Sequence, residues 1–371
     1  MTERTARLHR SRWDIFCRVV DNFGDAGFCW RLARQLALEH DQQVRLWIDD
    51  PAALAALRPG AAAGASCEGV RIEAWRDDDP RLATVCVDEV ADVVVGALAC
   101  SVPDGYRRAM ARRRPVWIDL EYLSAEAWVH THHGLPSPKP DGLVEHFFFP
   151  GFDDATGGLL READLLARHD AFDADARRAF LASIGAAVRP DARLASLFCY
   201  PDAPAVALLD AFAARDEGWR VLVPAGVAPS VAGHPVAVPV PFVPQADFDR
   251  LLWSCSLNFV RGEESFVRGL WAQRPMVWQA YRQAEGVHMP KVRAFVERWV
   301  EAAEPGPAAA AALARMETAW NADPADVPQA LDGLIPALPA LRDASARWAR
   351  ANAARPDLAA RLAEFVAGKL Y

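Results

Sequence analysis

The sequence predicts an α/β protein built from two Rossmann-like domains, and three observations support that expectation. The chain has 371 residues, more than the roughly 250 to 300 at which a single hydrophobic core stops growing. Two successive series of short apolar runs alternate with helix-patterned stretches, as right-handed β-α-β crossovers on a parallel sheet require. Between the two series the alternation lapses.

The first series is WDIFCRVV (13–20), QVRLWI (43–48), VRIEAW (70–75), DVVVGA (92–97) and PVWIDL (115–120), with helical stretches such as CWRLARQLALEH (29–40) between them. From Phe152 to Gly185 the chain reads as a loop followed by one or two amphipathic helices, which places the domain junction there. The second series is LASLFCY (194–200), WRVLVP (219–224), VAVPV (236–240), SLNFV (256–260) and PMVWQ (275–279), separated by stretches such as PAVALLDAFAARD. From Lys291 onward the pattern is helical, with segments near 307–321, 337–353 and 355–369, the last set off by Arg355-Pro356. The expected division is 1–152, a linker at 153–185, and 186–354. No repeat of solenoid length is present.

Composition narrows the function classes. With 52% apolar and 24% charged residues and 13 tryptophans, the chain has ample material for two cores, which excludes a disordered or collagen-like protein. No window approaches the roughly 18 to 20 apolar residues of a membrane span, and MTERTARLHRSRWDIF is charged where a signal peptide is apolar. A soluble, cytoplasmic protein is expected, with no membrane partner. The 41 basic and 49 acidic residues give a net charge of −8, and the basic ones are scattered, which argues against a nucleic-acid partner. Seven cysteines without a C-x-x-C pair, most in apolar stretches such as DIFCRVV and SLFCYP, are expected to be reduced core thiols.

In open parallel sheets ligands bind beyond the carboxyl ends of the strands, and two loops in that position stand out. After the first run, VVDNFGDAGFCWRLARQL places Asp21, Asn22, Phe23, Gly24 and Asp25 between strand and helix. Gly24 and Gly27 do not make the G-x-G-x-x-G dinucleotide fingerprint, which weakens an NAD reading. Glycines would let a ligand approach the backbone, and Asp21 or Asp25 could act as a general base once its environment tunes its pKa. Alternatively Asp25 caps the helix and Asp21 ends the strand. The two roles can coexist.

The second loop is Arg261-Gly262-Glu263-Glu264-Ser265-Phe266, within SLNFVRGEESFVRGLWAQRPMVWQAY. A serine and free N–H groups at the head of a helix, with Arg261 beside them, suit a phosphate or diphosphate. The competing reading is a capped helix whose Arg261 pairs with Glu263 or Glu264 on the surface. Tyr200 in FCYP, with Phe242 and Gln245 in PFVPQADFDRLLWSC, could supply aromatic faces and an amide for a nucleobase. Each aromatic could equally be core. His130, His132 and His133 lack metal-ligand spacing. The basic cluster from Tyr106-Arg107-Arg108 to Arg112-Arg113-Arg114 reads as a solvated helix face, with a surface for an anionic partner as the alternative. No Walker loop, nucleophile elbow or catalytic cysteine motif is present.

On WDIFCRVVDNFGDAGFCWRLARQL, IDLEYLSAEAWV, HGLPSP, FFFPGF, FCYP, PFVPQADFDRLLW and FVRGEESFVRGLWAQRPMVW, the chain resembles the EarP family, bacterial protein-arginine rhamnosyltransferases that modify translation elongation factor P. These motifs span residues 13–295. The resemblance implies a GT-B glycosyltransferase fold, two Rossmann-like domains facing a central cleft, with dTDP-β-L-rhamnose on the C-terminal domain and the acceptor protein on the N-terminal one. It also implies a last helix, about 355–371, that returns to the N-terminal domain. The implied roles are Asp25 as general base with Asp21 as its neighbour and Asn22, Phe23 and Gly24 on the acceptor side. Tyr200, Phe242, Gln245, Arg261, Gly262, Glu263, Glu264 and Ser265 would hold the donor, Glu263 also serving catalysis. The chain departs from the family pattern at Ala26, usually Ile, at Glu264, often Asp, and at Arg282, where proline is common.

A protonated guanidinium is a poor nucleophile, so an arginine nitrogen must lose a proton as it attacks the anomeric carbon. The implied chemistry has Asp25 take that proton and Asp21 orient the guanidinium, with attack opposite the departing dTDP inverting the centre. Arg261 and the helix start after Glu264 would stabilise the leaving group without a metal or cofactor. The alternatives are a nucleotide-sugar transferase with a small-molecule acceptor and a non-enzymatic binding protein on a degenerate transferase scaffold.

Overall fold

Each of the ten apolar runs forms a strand in the computed structural model, which describes residues 10–21, 23–215, 217–282 and 286–370. The strands of the first half are β1 (Arg12–Cys17), β2 (Gln43–Ile48), β3 (Ser66–Cys67), β4 (Val70–Ala74), β5 (Val93–Ala97), β6 (Val116–Leu120), β7 (Pro136–Pro138) and β8 (Val144–Phe148). They form one sheet in the order β3-β4-β2-β1-β5-β6-β8-β7. β1 pairs in parallel with β2 on one side and β5 on the other, so that Ile15 faces both Leu46 and Val95. All three are fully buried, as expected where helices cover both faces of a parallel sheet. The edge strands β3 and β7 run antiparallel to β4 and β8.

The second half forms β9 (Arg193–Leu197), β10 (Trp219–Pro224), β11 (Ala237–Val240), β12 (Leu257–Arg261) and β13 (Met276–Gln279). Their order is β11-β10-β9-β12-β13, and each pair is parallel. In both sheets the chain leaves the first strand to one side and returns on the other. This creates a switch point between β1 and β5 and another between β9 and β12, where crossovers diverge and leave a crevice.

Two runs end earlier than their apolar character suggests, for the same physical reason. β1 stops at Cys17, because the N–H of Val19 goes to the Asp49 carboxylate and those of Val20 and Asp21 to Asp25. β9 stops at Leu197, and the N–H of Tyr200 goes to the Gln279 side chain. Side-chain acceptors replace the neighbouring strand, and the chain turns out of the sheet.

The chain divides into two compact units, Met1–Ala163 with Arg355–Tyr371, and Asp164–Ala354. The expected linker at 153–185 is shared between them: its first part belongs to the first unit, and its helices Leu165–Asp170 and Ala174–Ser183 belong to the second. Arg177 donates to the Ser254 carbonyl and His169 packs edge-on against Trp253, so this stretch is packed structure. The C-terminal part forms helices His288–Ala303, Pro307–Asn321, Val327–Ala353 and Leu358–Leu370. The third starts ten residues before the expected 337 and continues through Pro336 and Pro339. The last packs within the first unit: Asp357 accepts from Gln35, and Phe365 lies against Phe148.

Five cysteines, Cys17, Cys29, Cys100, Cys199 and Cys255, are buried free thiols as expected, whereas Cys67 is half-buried and Cys86 exposed. No helix among the described residues is long and apolar enough to cross a membrane.

Candidate active site

In the first unit the switch-point loop is built around Asp25. The helix that follows β1 begins at Gly24, with Phe23 at the N-cap and no side-chain cap, so Asp25 is not a capping residue. Its Oδ2 instead reaches back and accepts the N–H groups of Val20 and Asp21, each at 2.8 Å. The carboxylate thus clamps the loop that precedes it, and its side chain is only 3% exposed. Burial raises its pKa above the ordinary carboxylate value, the two backbone N–H groups oppose the rise, and the negative Asp21 and Asp49 add to it. A carboxylate at a ligand-binding edge whose basicity burial has increased is suited to taking a proton.

Asp21 is half-buried beside it, and the Gly24 N–H donates to its carbonyl at 2.7 Å. A Cβ at position 24 would lie 3.1 Å from Asp21 Oδ2, so the glycine is what lets that carboxylate fold over the helix start. Phe23 and Gly24 are half-buried in the same turn. Asn22 lies outside the described residues.

In the second unit the switch point between β9 and β12 gathers Tyr200 and the Arg261 loop. The Arg261 guanidinium lies 4.7 Å from the ring centres of both Phe198 and Tyr200 and donates to the Cys199 carbonyl at 3.1 Å. Aromatic faces and one hydrogen bond therefore fix the cation, in place of the surface pairing with Glu263 or Glu264 that was the competing expectation. Gly262 adopts φ +57°, the left-handed turn that takes the chain from β12 into the helix Glu264–Trp271 at little cost only for glycine. Its carbonyl accepts from the Trp278 indole at 2.7 Å.

Ser265 was expected to offer its hydroxyl to a phosphate. The hydroxyl is 5% exposed and committed to the main chain of Arg261, accepting its N–H at 3.0 Å and donating to its carbonyl. What the helix start retains is its first-turn N–H groups and their positive end. Glu263 stands at the N-cap, half-buried. Gln245, buried at the start of helix Gln245–Trp253, donates to Glu264 Oε1 at 3.0 Å. Phe242 is half-buried on the loop after β11.

Two features here had not been singled out in the sequence. Gln279, 4% exposed at the end of β13, accepts the Tyr200 N–H at 2.7 Å and donates to Asp202, which also pairs with Arg282 at 3.0 Å. Arg282 is thus a charge with a carboxylate beside it. Arg268 and Asp249 form a buried two-point ion pair, both bonds 2.7 Å, which ties the helix carrying Gln245 to the helix carrying Glu264. Gln279 was accessible to the strand-end rule; Arg268 gave no signal, since its spacing resembles that of a surface charge.

The features set aside remain outside the site. His130 pairs with Asp153, His132 bonds the Trp128 carbonyl and His133 accepts the Phe149 N–H; no group of three metal-ligating side chains occurs among the described residues. Arg107 and Arg113 pair with Asp141 and Asp92.

Two Rossmann-type units in one chain, each with its polar loops at a strand switch point, are the architecture of a GT-B glycosyltransferase. The family described as Elongation-Factor P (EF-P) rhamnosyltransferase EarP matches residues 13–367. A protein-arginine rhamnosyltransferase of Pseudomonas putida is 45% identical over 385 aligned residues, covering 97% of this chain and 100% of that one. Its Pseudomonas aeruginosa counterpart is 45% identical over 379, covering 96% and 98%. A solved structure from work on the structural basis for EarP-mediated arginine glycosylation of translation elongation factor EF-P superposes with a TM-score of 0.67 at 34% identity, covering 96% of this chain and 98% of that one. The chain belongs to the EarP family.

Proposed function

We propose that this enzyme transfers L-rhamnose from dTDP-β-L-rhamnose to an arginine side chain of translation elongation factor P, in the cytoplasm, with inversion at the anomeric carbon and without a metal. The observation that carries the reading is Asp25: a carboxylate buried at the switch point, its basicity raised, with both of its backbone hydrogen bonds on Oδ2. Oδ1 is the oxygen that takes the proton from the attacking arginine nitrogen. Asp21 holds the positive guanidinium in line. The sugar's bond to the diphosphate breaks as the new C–N bond forms on the opposite face.

In the second unit, Arg261 is the fixed cation for the departing diphosphate. Its planar fork spends one donor on Cys199 and offers the others to phosphate oxygens, together with the N–H groups that open the Glu264–Trp271 helix. Tyr200, Phe242 and Gln245 frame the base and sugar, and Glu263 and Glu264 the sugar hydroxyls. The test is to incubate the protein with dTDP-L-rhamnose and elongation factor P and read the acceptor by mass spectrometry. A deoxyhexose on an arginine is the expected result; an unmodified acceptor alongside hydrolysed or otherwise transferred donor refutes the acceptor assignment.

A further inference from the structure

The second sheet has another concave site at its other end, where the strands begin. Arg193 opens β9, Trp219 opens β10, Ser256 immediately precedes β12 and Arg274 lies two residues before β13. These residues line a cavity of about 710 Å³ that also takes in part of helix Val327–Ala353, a size typical of small-molecule sites. Arg261 and Tyr200 lie at the carboxyl ends of the same strands, so this is not the donor site.

Among the described residues the lining is unusually basic for a chain of net charge −8. Five arginines, Arg177, Arg193, Arg215, Arg274 and Arg342, share the wall with Glu217. Glu217 and Asp332 account for two of them: Arg193 and Arg215 both pair with Glu217, and Arg215 also with Asp332. Of the other three, Arg177 and Arg274 have no carboxylate partner among the described residues, and Arg342 has only a loose, exposed one. Arg177 spends its Nε on the Ser254 carbonyl, and Arg342 lies 3.7 Å from Asp343, both side chains mostly exposed. Arg274 has its Nε buried without a hydrogen-bond partner. Burial and the positive Arg342 and Arg177 lower its pKa from the usual guanidinium value. Folding has therefore brought like charges together and left a buried donor unsatisfied, an arrangement that costs stability unless an anion completes it.

We propose that this pocket binds a phosphorylated small molecule. Several planar forks converging on one place match the geometry and multiple charge of a phosphate or diphosphate better than a single carboxylate would. Arg177, Arg274 and Arg342 hold the phosphate. Leu338, Pro336 and Pro339, half-buried or exposed in the same wall, provide the apolar surface for an organic body.

The test is calorimetry on the full chain with pyrophosphate and with ADP, in the presence of saturating dTDP so that the donor site is occupied. ADP is expected to bind under those conditions and more tightly than pyrophosphate. R274Q/R342Q is expected to weaken it at least about tenfold, the scale of a lost charge-assisted contact, with dTDP binding and rhamnosyl transfer unchanged. Arg342 is exposed enough that R342A alone is a second variant that will fold, and it should weaken ADP in the same direction. R274M without ligand should melt higher than the parent. Absence of ADP binding once dTDP is present, or binding that survives both arginine variants, overturns the site; equal affinity for pyrophosphate and ADP overturns the organic-body assignment.

Discussion

Replacing Asp25 by asparagine separates the chemical role of this residue from its structural one. The carboxylate accepts two backbone N–H groups on one oxygen. An asparagine can keep its amide oxygen in that place, so the Val20–Asp21 turn survives while the second oxygen becomes an NH2 that cannot take a proton. Turnover should then fall by more than about 10²-fold, the scale of lost general-base catalysis, with the melting temperature nearly unchanged. D25A makes the contrast: it leaves both N–H groups without their acceptor, at about 1–3 kcal/mol each, or about 2–4 °C of melting temperature per kcal/mol in a domain of this size. Steady-state transfer to elongation factor P, read by mass spectrometry beside thermal melts, measures both. Since the base acts when deprotonated and its pKa is raised, the parent's rate should fall on acidification at a pH above the ordinary carboxylate value of about 4, and D25N should lose that limb. Near-normal turnover by D25N, or a loss of activity that tracks a loss of stability equal to that of D25A, would refute the reasoning and leave Asp25 as a loop clamp.

R261A should weaken dTDP binding by about 1.5–3 kcal/mol in calorimetry, and R261K should not restore it, because an ammonium cannot hold a planar fork over Phe198 and Tyr200; unchanged affinity would move the nucleotide site elsewhere. Transfer should survive EDTA, since Arg261 and a helix start are positioned to receive the leaving charge, and loss of activity that Mg²⁺ restores would overturn that assignment. Asp119, on β6, has its pKa pushed up to about 7 by burial, with Glu121 and Glu145 adding and Lys139 opposing. Its folded pKa lies above its unfolded one, so stability is lost as pH rises from about 4 to 7; D119N should melt higher than the parent at pH 8 and the difference should vanish near pH 4.

How much of this was legible in the sequence depended on how far local pattern was free to act. Most of the ten apolar runs became strands because burial on both faces leaves a continuous apolar signal; β4 and β11 instead expose Arg71 and Pro239. β7 and β8 left none: β7 is Pro-Ser-Pro, tolerated because it is an edge strand, and β8 mixes Glu145 and His146 with phenylalanines, half-buried on both sides. The long helix was expected near 337–353; the packing of Val327, Leu331 and Leu334, all fully buried, starts it ten residues earlier and carries it through Pro336 and Pro339, although proline disfavours helix interiors. At the site, the strand-end rule located Asp25, Tyr200 and Arg261 without saying which atoms face a ligand. The inward turn of the Ser265 hydroxyl, the aromatic seat under Arg261 and the Arg268–Asp249 tie are tertiary contacts between residues far apart in the chain, and no local window encodes them.

The return of the last helix has a consequence for how the protein comes into being. A chain emerges from the ribosome amino end first, and domains usually fold as they appear. Here the first unit includes Arg355–Tyr371. Gln35 waits for Asp357, the Leu159 carbonyl for the N–H of Leu358, and Phe148 for Phe365. The first unit thus completes its packing only after all of Asp164–Ala354 has been made. The loop around Asp25 leads into the helix that carries Gln35, so a chain without Asp357 lacks part of the support beneath that loop.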